Sequence, residues 1–380
     1  MVYSEVIGVG RYLPEKILTN AELEKMVDTS DEWIKQRTGI EERRIAEDCD
    51  DTSVLGLRAL KDALANAEVR PEELELIIDA TNTARRRFPC SAGIIHAGLG
   101  TKKEIPFFDI SAGCTGINYA IATADSFVRS GMYKTIAVVA NEKLSEVTDY
   151  TDRNTCVLFG DAGGAMILRA AVEPGFITHE LGGDGKDKEL LRDDCHTRMK
   201  AGELQIQKNG EYVSLSKKEL DDLVKAKATL PKLYMDGPSV FKFAVPKLYR
   251  SIISVLEKGK SAGHDISAGN LKIIPHQANC RIIDSAAVQL AKKLGISFEE
   301  AMKMFYVILP KRGNTSTASQ PDALYEAIKT DWIRPDDYVV FVGFGAGMTW
   351  GANLYKYNKQ MHLKDNTYLF AKKNGDIRAA

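Results

Sequence analysis

The two halves of this 380-residue chain repeat one order of helix and strand. In the first half, a helical pattern that ends near Ala67 leads into the apolar strand pattern Leu76-Ile77-Ile78. In the second half, a helical pattern from Lys247 to Leu256 leads into Leu271-Lys272-Ile273-Ile274. Each sheet must bury its apolar faces against helices, so two such units pack as stacked layers. The sequence therefore predicts a duplicated α/β fold, with helices between and outside two sheets.

Each half also supplies a later strand that runs into a turn of small residues, at positions 107–114 and 338–347. We expect these two segments to correspond to each other in the duplicated fold. In a layered α/β protein, active groups gather where the ends of strands meet. The two turns are therefore the places to look for chemistry.

The repeated pattern is interrupted between residues 182 and 238 by a charged stretch, a hairpin-like segment and a helix-like segment. We predict an N-terminal half over 1–175, an elaboration over 176–240 and a C-terminal half over 241–357. The polar, Lys-rich residues 358–380 are predicted to form a surface tail.

Composition excludes several classes of function. The net charge is −1, from 51 basic and 52 acidic residues, so no field of one sign attracts nucleic acid. No apolar run reaches membrane-spanning length, and no signal-peptide pattern precedes the first strand, which predicts a cytoplasmic protein without a membrane partner. The six cysteines form no CxxC pair, and Cys195-His196 lacks a second ligand pair, so neither a disulfide framework nor a metal is expected.

Cys114 lies where an apolar strand pattern stops and a helical pattern starts. Apolar residues recur from Ile117 at Ala120, Ile121 and Ala124, which is helical spacing. A thiol at the start of a helix faces the positive end of the helix dipole, which favours the thiolate. Small neighbouring residues leave room for a substrate. Cys114 is thus a candidate nucleophile, with a buried, inert cysteine as the alternative.

His276 and Asn314 are candidates for partners of this thiol. His276 directly follows an apolar strand pattern and a proline, which presents its imidazole at a strand end. Asn314 precedes a run of small hydroxyl residues, where its amide could donate a hydrogen bond without titrating. With a neutral histidine Nε2–H it would make a two-donor hole for an enolate. A structural histidine and a helix-capping asparagine are the alternatives.

The Gly-rich segment Gly343-Phe344-Gly345-Ala346-Gly347 follows another strand pattern. Such a segment is usually an ordinary tight turn. If it lies beside Cys114, one of its backbone N–H groups would complete an oxyanion hole for a thioester carbonyl.

Cys114, His276 and Asn314, in these settings, resemble the Cys-His-Asn set of β-ketoacyl-ACP synthase III of bacterial fatty-acid synthesis. The resemblance runs from about Val6 to Tyr357. It is supported, in order along the chain, by Thr29-Ser30-Asp31-Glu32-Trp33-Ile34, Arg37-Thr38-Gly39-Ile40, Asp152-Arg153, Phe159-Gly160-Asp161, Pro275-His276-Gln277-Ala278-Asn279, Gly313-Asn314-Thr315-Ser316 and Thr349-Trp350-Gly351. The resemblance implies the thiolase fold, a duplicated αβαβα architecture of five layers, and a homodimer. It implies no cofactor, because coenzyme A enters as part of the substrate.

The resemblance also implies a two-stage mechanism. Cys114 attacks an acyl-CoA, and coenzyme A leaves. Malonyl-ACP then loses carbon dioxide while His276 and Asn314 hold the enolate, which attacks the acyl-enzyme to give a β-ketoacyl thioester. The backbone N–H groups of Cys114 and Ala346 would hold both tetrahedral oxyanions, although the family usually has glycine at the second position. Whether malonyl arrives on acyl carrier protein or on coenzyme A stays open.

Further residues receive roles only through the resemblance. It assigns coenzyme A binding to Thr29, Trp33, Arg37, Arg153 and Asn279, the acyl pocket to Phe344 and the partner subunit's Phe88, and acyl-carrier-protein docking to Lys242, Arg281, Lys292 and Lys293. For the lysines, a solvated helix face is the alternative.

Three departures from the family limit what can be said about the substrate. The stretches 159–235 and 276–314 are longer than usual, the second containing an apolar, insert-like segment at 304–309. Arg85, Arg86 and Arg87 make the approach to Phe88 unusually basic. If one arginine enters the acyl pocket, the primer could carry a terminal carboxylate, as in succinyl- or glutaryl-CoA. An exposed basic loop is the favoured alternative.

Other classes of function stay open at this point. One is a specialised ketosynthase or acyltransferase of secondary metabolism with the same triad. Another is condensation without decarboxylation, which needs a glutamate base that the sequence does not locate. A non-enzymatic partner subunit is disfavoured by the intact triad.

Overall fold

The computed structural model describes residues 2–193, 197–200, 203–208, 211–214, 216, 233–364 and 366. Its strands are β1 (Tyr3–Tyr12), β2 (Lys16–Thr19), β3 (Glu42–Ile45), β4 (Leu76–Ala80), β5 (Phe107–Ile110), β6 (Thr135–Glu142), β7 (Ala162–Ala171), β8 (Phe176–Gly183), β9 (Leu191–Asp193), β10 (Thr197–Lys200), β11 (Glu203–Lys208), β12 (Glu211–Ser214), β13 (Leu233–Met235), β14 (Leu271–Pro275), β15 (Tyr338–Gly345) and β16 (Thr349–Lys356). Its α-helices are α1 (Asn20–Leu23), α2 (Asp31–Thr38), α3 (Thr52–Ala67), α4 (Ser91–Leu99), α5 (Gly116–Arg129), α6 (Gly237–Ser261), α7 (Cys280–Leu294), α8 (Phe298–Met302), α9 (Leu309–Arg312) and α10 (Ser319–Lys329). Short 3₁₀ helices cover Pro71–Glu73, Leu144–Glu146, Gly185–Asp187 and Ser316–Ala318.

Two sheets of the same topology form the centre of the molecule. The first has the order β1-β7-β6-β4-β5, with β4 parallel to β5 and β6, and with β7 antiparallel to β6 and β1. The second has the order β8-β16-β15-β14, with β14 parallel to β15, and with β16 antiparallel to β15 and β8. Strands β8, β16, β15 and β14 thus repeat the places of β1, β7, β6 and β4.

The counterpart of edge strand β5 lies at residues 304–306. Phe305 forms a parallel bridge with Ile273, where Ile273 N donates to Met304 O at 2.7 Å and Tyr306 N donates to Ile273 O at 2.9 Å. The expected correspondence between 107–114 and 338–347 is therefore wrong, because β15 takes the place of β6. The apolar segment at 304–309 is therefore not simply an insert. Its first residues, 304–306, take the fifth position of the second sheet.

Helices cover and separate the two sheets in five layers. Helices α3 and α4 pack on the outer face of the first sheet, and α6, with α7 against it, covers the outer face of the second. Helices α5 and α10 lie between the sheets. The predicted apolar face of α5 is buried, including Ile117 and Ile121, within one core that also contains Ile78 and Phe341 from the two sheets. The predicted duplicated αβαβα fold is confirmed.

The elaboration between the halves is shorter than the predicted 176–240. Residues 176–183 form β8, which pairs with β16 in the second sheet, and α6 begins at Gly237. Within the intervening segment, the predicted hairpin is present as β11 and β12, with β10 alongside. The helix-like pattern at 217–229 and the pair Cys195-His196 lie outside the described residues.

The beginning of the predicted surface tail packs on α3. Asn366 is 5% exposed, and its Nδ2 donates to Asp62 at 2.8 Å and to Asn66 at 3.0 Å. Lys364 N also donates to Asn66 at 2.9 Å. The tail thus begins as part of the folded molecule, and the residues after 366 lie outside the described part of the chain.

Candidate active site

A small cavity of about 70 Å³ opens where the two halves meet. It brings together the three predicted catalytic residues, Cys114, His276 and Asn314. The other residues that line it are Leu158, Phe159, Leu191, Met235, Val240, Ala278, Asn279, Ile282, Phe344 and Gly345. Within this described lining there is no carboxylate, and most of the surface is apolar, so polar contacts to a substrate must come from the few named groups.

Two tightly packed turns place the backbone of Ala346 beside Cys114. Gly113, at φ 59°, precedes the cysteine, and a Cβ there would lie 2.6 Å from Ala346 N. A Cβ at Gly345 would lie 2.3 Å from Cys114 N. Only glycine permits this approach. As a result, the N–H groups of Cys114 and Ala346 both face the sulfur, which is the arrangement an oxyanion hole needs.

Burial, rather than the helix dipole, dominates the acidity of Cys114. The pKa of the thiol is raised to about 11 by desolvation, with the carboxylate of Glu142 adding to the rise. The Ser316 hydroxyl and the two backbone N–H groups lower the pKa, but by less. The expectation that the start of α5 favours the thiolate stays a prediction, and desolvation of the half-buried sulfur acts in the opposite direction. Desolvation by itself thus favours the thiol form of Cys114.

His276 is held by both backbone and side chain. It follows β14, its N–H donates to Val342 O at 2.7 Å, and it is 2% exposed. Burial lowers the pKa of its imidazole to about 3, so the ring is neutral near pH 7. Its Nδ1 lies 3.0 Å from Ser319 Oγ. The same hydroxyl lies 2.7 Å from Ser316 O and has a single proton to donate. The ring carries its proton on Nε2, the tautomer that donates into the cavity, when that hydroxyl proton points to Nδ1 instead of to Ser316 O.

Asn314 is not a helix cap, because Thr315 is the N-cap of the short 3₁₀ helix that follows it. Its Oδ1 accepts the Ser316 N–H at 2.9 Å, which leaves the amide N–H₂ as the free donor. Its backbone is fixed from both sides, because its N–H donates to Leu158 O at 2.8 Å and its carbonyl accepts Gly160 N at 3.0 Å. The amide is thus a rigid, neutral hydrogen-bond donor at the pocket.

Phe344 lies against the histidine. Its ring is 3% exposed and meets the His276 ring edge-on, with centroids 5.6 Å apart. This contact restricts the rotation of the imidazole. Phe88, by contrast, is 85% exposed and does not line the pocket of its own chain. Arg85, Arg86 and Arg87 are exposed as well, and Arg85 pairs with Asp51 at 3.4 Å.

Most residues expected to bind coenzyme A lie together at one rim. The guanidinium of Arg153 is 4.4 Å from the centre of the Trp33 ring, and that of Arg37 is 5.9 Å from it. Asn279 Nδ2 donates to Arg37 O at 3.1 Å and also lines the cavity. The hydroxyl of Thr29 is buried without a hydrogen-bond partner. The rim therefore combines the aromatic face of Trp33, two guanidinium groups, one amide side chain and a hydroxyl that has no hydrogen-bond partner.

The expected docking cations lie on two neighbouring helices. Lys242 belongs to α6, and Arg281, Lys292 and Lys293 belong to α7; all four are exposed. Arg281 also borders an opening of about 290 Å³ with Gln36 and Arg37, which connects this face to the rim. Lys293 pairs with Glu257 at 4.0 Å, as a solvated helix face would.

Glu142 and its hydroxyl partners were missed by the sequence interpretation. Glu142 ends β6 and is fully buried. It accepts hydrogen bonds from Asn82, Thr83, Ser316 and Thr317. The available signal was an acidic residue two positions after the apolar strand pattern 135–140, but its partners come from distant parts of the chain. Among the described residues, no group of three or more possible metal ligands occurs.

No helix in the described ranges is both long and apolar enough to cross a bilayer.

Comparison with known sequences gives a specific match. The family model described as 3-oxoacyl-[acyl-carrier-protein] synthase III matches residues 108–185, and the model of its C-terminal part matches 264–357. The β-ketoacyl-[acyl-carrier-protein] synthase III of Caldanaerobacter subterraneus is 42% identical over 93% of this chain and 98% of its own. The corresponding Bacillus pumilus protein is 41% identical over 93% and 99%.

Solved structures agree with this match. The 3-oxoacyl-[acyl-carrier-protein] synthase III of Aquifex aeolicus is 40% identical, with a TM-score of 0.77 over 93% of this chain and all of the other. The priming β-ketosynthase of the R1128 polyketide pathway is 30% identical, with a TM-score of 0.78 over 94% and 97%. The Xanthomonas campestris OleA structure, at 15% identity and a TM-score of 0.72, shows a shared fold only.

Proposed function

From the premise that this chain belongs to the β-ketoacyl-ACP synthase III family, we propose that it catalyses the decarboxylative Claisen condensation that starts fatty-acid synthesis. The single observation that carries the proposal is the cavity in which Cys114, His276 and Asn314 converge. A nucleophile, a neutral histidine and a fixed amide are the groups this chemistry requires.

In the first stage, Cys114 attacks the carbonyl carbon of an acyl-CoA. Negative charge develops on the carbonyl oxygen, where the N–H groups of Cys114 and Ala346 can receive it. The bond to the sulfur of coenzyme A then breaks, and the acyl group stays on Cys114. Rigid donors speed this step because they need no reorganisation as the charge forms.

In the second stage, malonyl-ACP enters and loses carbon dioxide. The electrons of the broken C–C bond form an enolate, whose oxygen receives hydrogen bonds from Asn314 Nδ2 and His276 Nε2. Both donors are neutral, and the low pKa of His276 keeps it so. The enolate carbon then attacks the acyl-Cys114 carbonyl and expels the sulfur. The product is a β-ketoacyl thioester.

The absence of a carboxylate from the described lining of the cavity favours this route over condensation without decarboxylation. A non-decarboxylating enzyme needs a base that reaches the α-carbon of its substrate. Glu142 is near, but it is fully buried and its oxygens are occupied by hydrogen-bond donors. Loss of carbon dioxide removes the need for such a base.

We assign coenzyme A to the rim formed by Trp33, Arg37, Arg153 and Asn279, with Thr29 as a further hydrogen-bond donor. A planar adenine can stack between an indole and a guanidinium. We assign the acidic carrier protein to the exposed cations Lys242, Arg281, Lys292 and Lys293, which lie next to that rim.

We further propose a homodimer that forms along the β5 edge. No strand in the described part of the chain pairs with the outer edge of β5, and Phe107 on that edge is 41% exposed. Unpaired sheet edges and large exposed apolar side chains are characteristic of interfaces. Phe88, at 85% exposure, would then enter the partner's acyl pocket.

The ion pair of Arg85 with Asp51 favours a basic loop over a carboxylate-binding pocket. Acyl-CoA substrates and unpaired cysteines at five described positions support a cytoplasmic setting.

A priming ketosynthase of secondary metabolism is the second candidate. It is favoured by the 30% identity to the R1128 priming enzyme over nearly the whole chain. That function would use the same triad and would differ in the acyl primer and the carrier protein.

Intact-protein mass spectrometry after incubation with a panel of acyl-CoAs tests the proposal. We expect the mass of one acyl group on the wild-type chain, no addition on Cys114→Ala, and release of carbon dioxide when malonyl-ACP follows. The panel should include acetyl-, branched, octanoyl- and glutaryl-CoA, so that the same measurement ranks the primers. Equal labelling of Cys114→Ala would contradict the assignment of the nucleophile.

A further inference from the structure

Thr349 begins β16 and has no part in the mechanism proposed above. Its backbone is fixed by two neighbouring strands, because it pairs with Gly345 of β15 and with Gly183 of β8. Its hydroxyl, however, reaches the first half of the chain. Thr349 Oγ1 donates to Ala112 O at 2.8 Å, although the two residues are 237 positions apart. A side chain of the second half thus binds the backbone of the turn that carries the nucleophile.

Thr115 completes this contact from the first half. It directly follows Cys114, it is fully buried, and its Oγ1 lies 2.7 Å from both Thr349 Oγ1 and Ala112 O. Each hydroxyl has one proton to donate. When Thr115 donates to Thr349, the Thr349 proton is available to Ala112 O at 2.8 Å or to Ala346 O at 3.2 Å. The two hydroxyls thus form a hydrogen-bonded pair that reaches carbonyl groups on both segments.

These two carbonyls flank the N–H groups of the proposed oxyanion hole. Ala112 O lies one peptide before the N–H of Cys114, and Ala346 O lies one peptide after the N–H of the same alanine. The segments are in close contact there, since a Cβ at Gly113 would lie 2.6 Å from Ala346 N. Each peptide is planar, so its direction is set by the few dihedral angles that join it to the next. A hydrogen bond that holds either carbonyl therefore restricts the direction of the adjoining N–H.

We propose that Thr115 and Thr349 are positioning residues for the oxyanion hole; this rests on the condensing function proposed above and assigns two further side chains to its acyl-transfer step. The hydroxyl pair holds the N–H groups of Cys114 and Ala346 where negative charge develops on the thioester oxygen. In this role neither hydroxyl exchanges a proton with the substrate, because both act through the backbone. Displacement of such groups by about 1 Å is enough to lower a rate by about 100-fold.

This role predicts a difference between two reactions of the same sulfur. Acetyl transfer from acetyl-CoA to Cys114 passes through a tetrahedral oxyanion, which the hole stabilises. Alkylation by iodoacetamide forms a bond from the sulfur to a methylene carbon and expels iodide, so no oxyanion develops. Loss of the hydroxyl pair should therefore slow the first reaction and leave the second unchanged.

The test measures both reactions on the wild type, Thr115→Val and Thr349→Val, with Thr115→Ser and Thr349→Ser as conservative variants. Valine keeps the shape of threonine without the hydroxyl, whereas serine keeps the hydroxyl. Mass spectrometry of the peptide that contains Cys114 separates its labelling from that of the other cysteines. Thr123→Val is the matched control, because Thr123 is also on α5 and donates at 2.8 Å to Tyr119 O, a backbone carbonyl of its own helix.

We expect each valine variant to accept the acetyl group at least about tenfold more slowly at saturating acetyl-CoA. The half-saturating concentration and the rate of alkylation should stay within about twofold of the wild type, since the coenzyme A rim and the sulfur are unchanged. The serine variants should stay within about threefold of the wild type in both reactions. The double valine variant should lose less than the product of the two single losses, because the hydroxyls act as one pair.

Three results would overturn the proposal. The first is acylation of both valine variants at the rate of Thr123→Val. The second is an equal fall of acylation and alkylation, which would indicate a displaced sulfur rather than a displaced hole. The third is serine variants as slow as the valine variants, which would exclude the hydroxyls as the cause.

The two threonines also provide separate tests of the same role. If Thr115→Val does not fold, as judged by circular dichroism, Thr349→Val still decides, because the side chain of Thr349 is only half-buried. A wild type that accepts no acyl group from any acyl-CoA would contradict the proposed function, and with it the role of the pair. A wild type that is acylated normally, with valine variants that match it, would contradict the role of the pair alone.

Discussion

At Cys114, two local effects act on one sulfur in opposite directions. The start of α5 and the nearby N–H groups favour the thiolate, whereas removal of water favours the thiol, and the removal of water prevails. His276 shows the same dominance of burial, which keeps its ring neutral. Removal of water thus favours the uncharged form of both residues, which suits a cavity with few groups to solvate a charge.

The first prediction concerns the free thiol. The ultraviolet absorbance of the Cys114 thiolate, taken as the difference between the wild type and Cys114→Ala, should rise only above about pH 9, since the pKa is about 11. Cys49 is exposed and offers a comparison within the same chain, through Cys49→Ala. A difference titration complete by about pH 8 would show that the helix dipole prevails after all.

The second prediction follows from the neutral histidine. The folded-state pKa of His276 lies near 3, below the unfolded value of 6.5, so its burial contributes stability above 6.5 that is lost as pH falls toward 3. His276→Gln should therefore move the midpoint of acid unfolding, measured by circular dichroism, to lower pH. His362→Gln, at an exposed position, should leave the midpoint unchanged. A midpoint that rises in His276→Gln would contradict the assigned pKa direction.

At the scale of elements, two chain segments make the site by touching through glycine. The end of β15 and the turn before α5 approach so closely that no side chain fits at Gly113 or Gly345. At Gly185, by contrast, a Cβ would meet nothing within 4 Å, so the need for glycine at the site comes from the close approach of the two segments. The oxyanion hole is thus a product of packing between the two halves.

The third prediction tests this packing. Gly345→Ala places a Cβ 2.3 Å from Cys114 N, so one segment must move and the Ala346 N–H must leave the sulfur. Acylation of Cys114 should fall by about 100-fold or more, the loss typical of removing an oxyanion donor. Gly185→Ala, where nothing lies within 4 Å, is the control and should acylate normally. Normal acylation of Gly345→Ala would remove Ala346 from the proposed mechanism.

At the scale of the whole molecule, an ion-pair cluster joins the N-terminal strand to the turn that carries Asn314. Arg11 of β1 pairs with Asp322 at 2.9 Å and with Glu326, both on α10. Arg312, two residues before Asn314, pairs with the same carboxylates at 3.1 Å each. Asp322 is fully buried, so its charge depends on these partners.

The fourth prediction concerns that cluster. Asp322→Asn leaves two arginines without their buried partner and should lower the free energy of unfolding by about 3–5 kcal/mol, measured by denaturant titration. Glu68→Gln, which removes an exposed pair with Lys364, should leave the free energy of unfolding nearly unchanged. Equal effects of the two substitutions would mean that the cluster contributes no more than a surface pair.

Much of the fold and of the site could be predicted from local pattern. The strand β14 and the turn with His276, the helix α5 after Cys114, and the duplication of α/β units all follow from apolar spacing over short stretches. The correspondence of the edge strands could not be predicted this way. Residues 304–306 and 107–110 share no pattern, and only hydrogen bonds to β14 and β4 define their places.

What the sequence by itself determined is the set of chemical groups: a thiol at the start of a helix, an imidazole at the end of a strand, and an amide before a run of hydroxyls. Only the tertiary structure decided which protonation state of these groups is favoured and which side chains surround them. It removed water from the half-buried Cys114 and the buried His276, which favours the neutral form of each, and it brought Glu142 and Ser316, 174 positions apart, within 3.0 Å. The physical reason is that residue type and spacing act locally, whereas desolvation and hydrogen-bond partners depend on which distant segments close around a group.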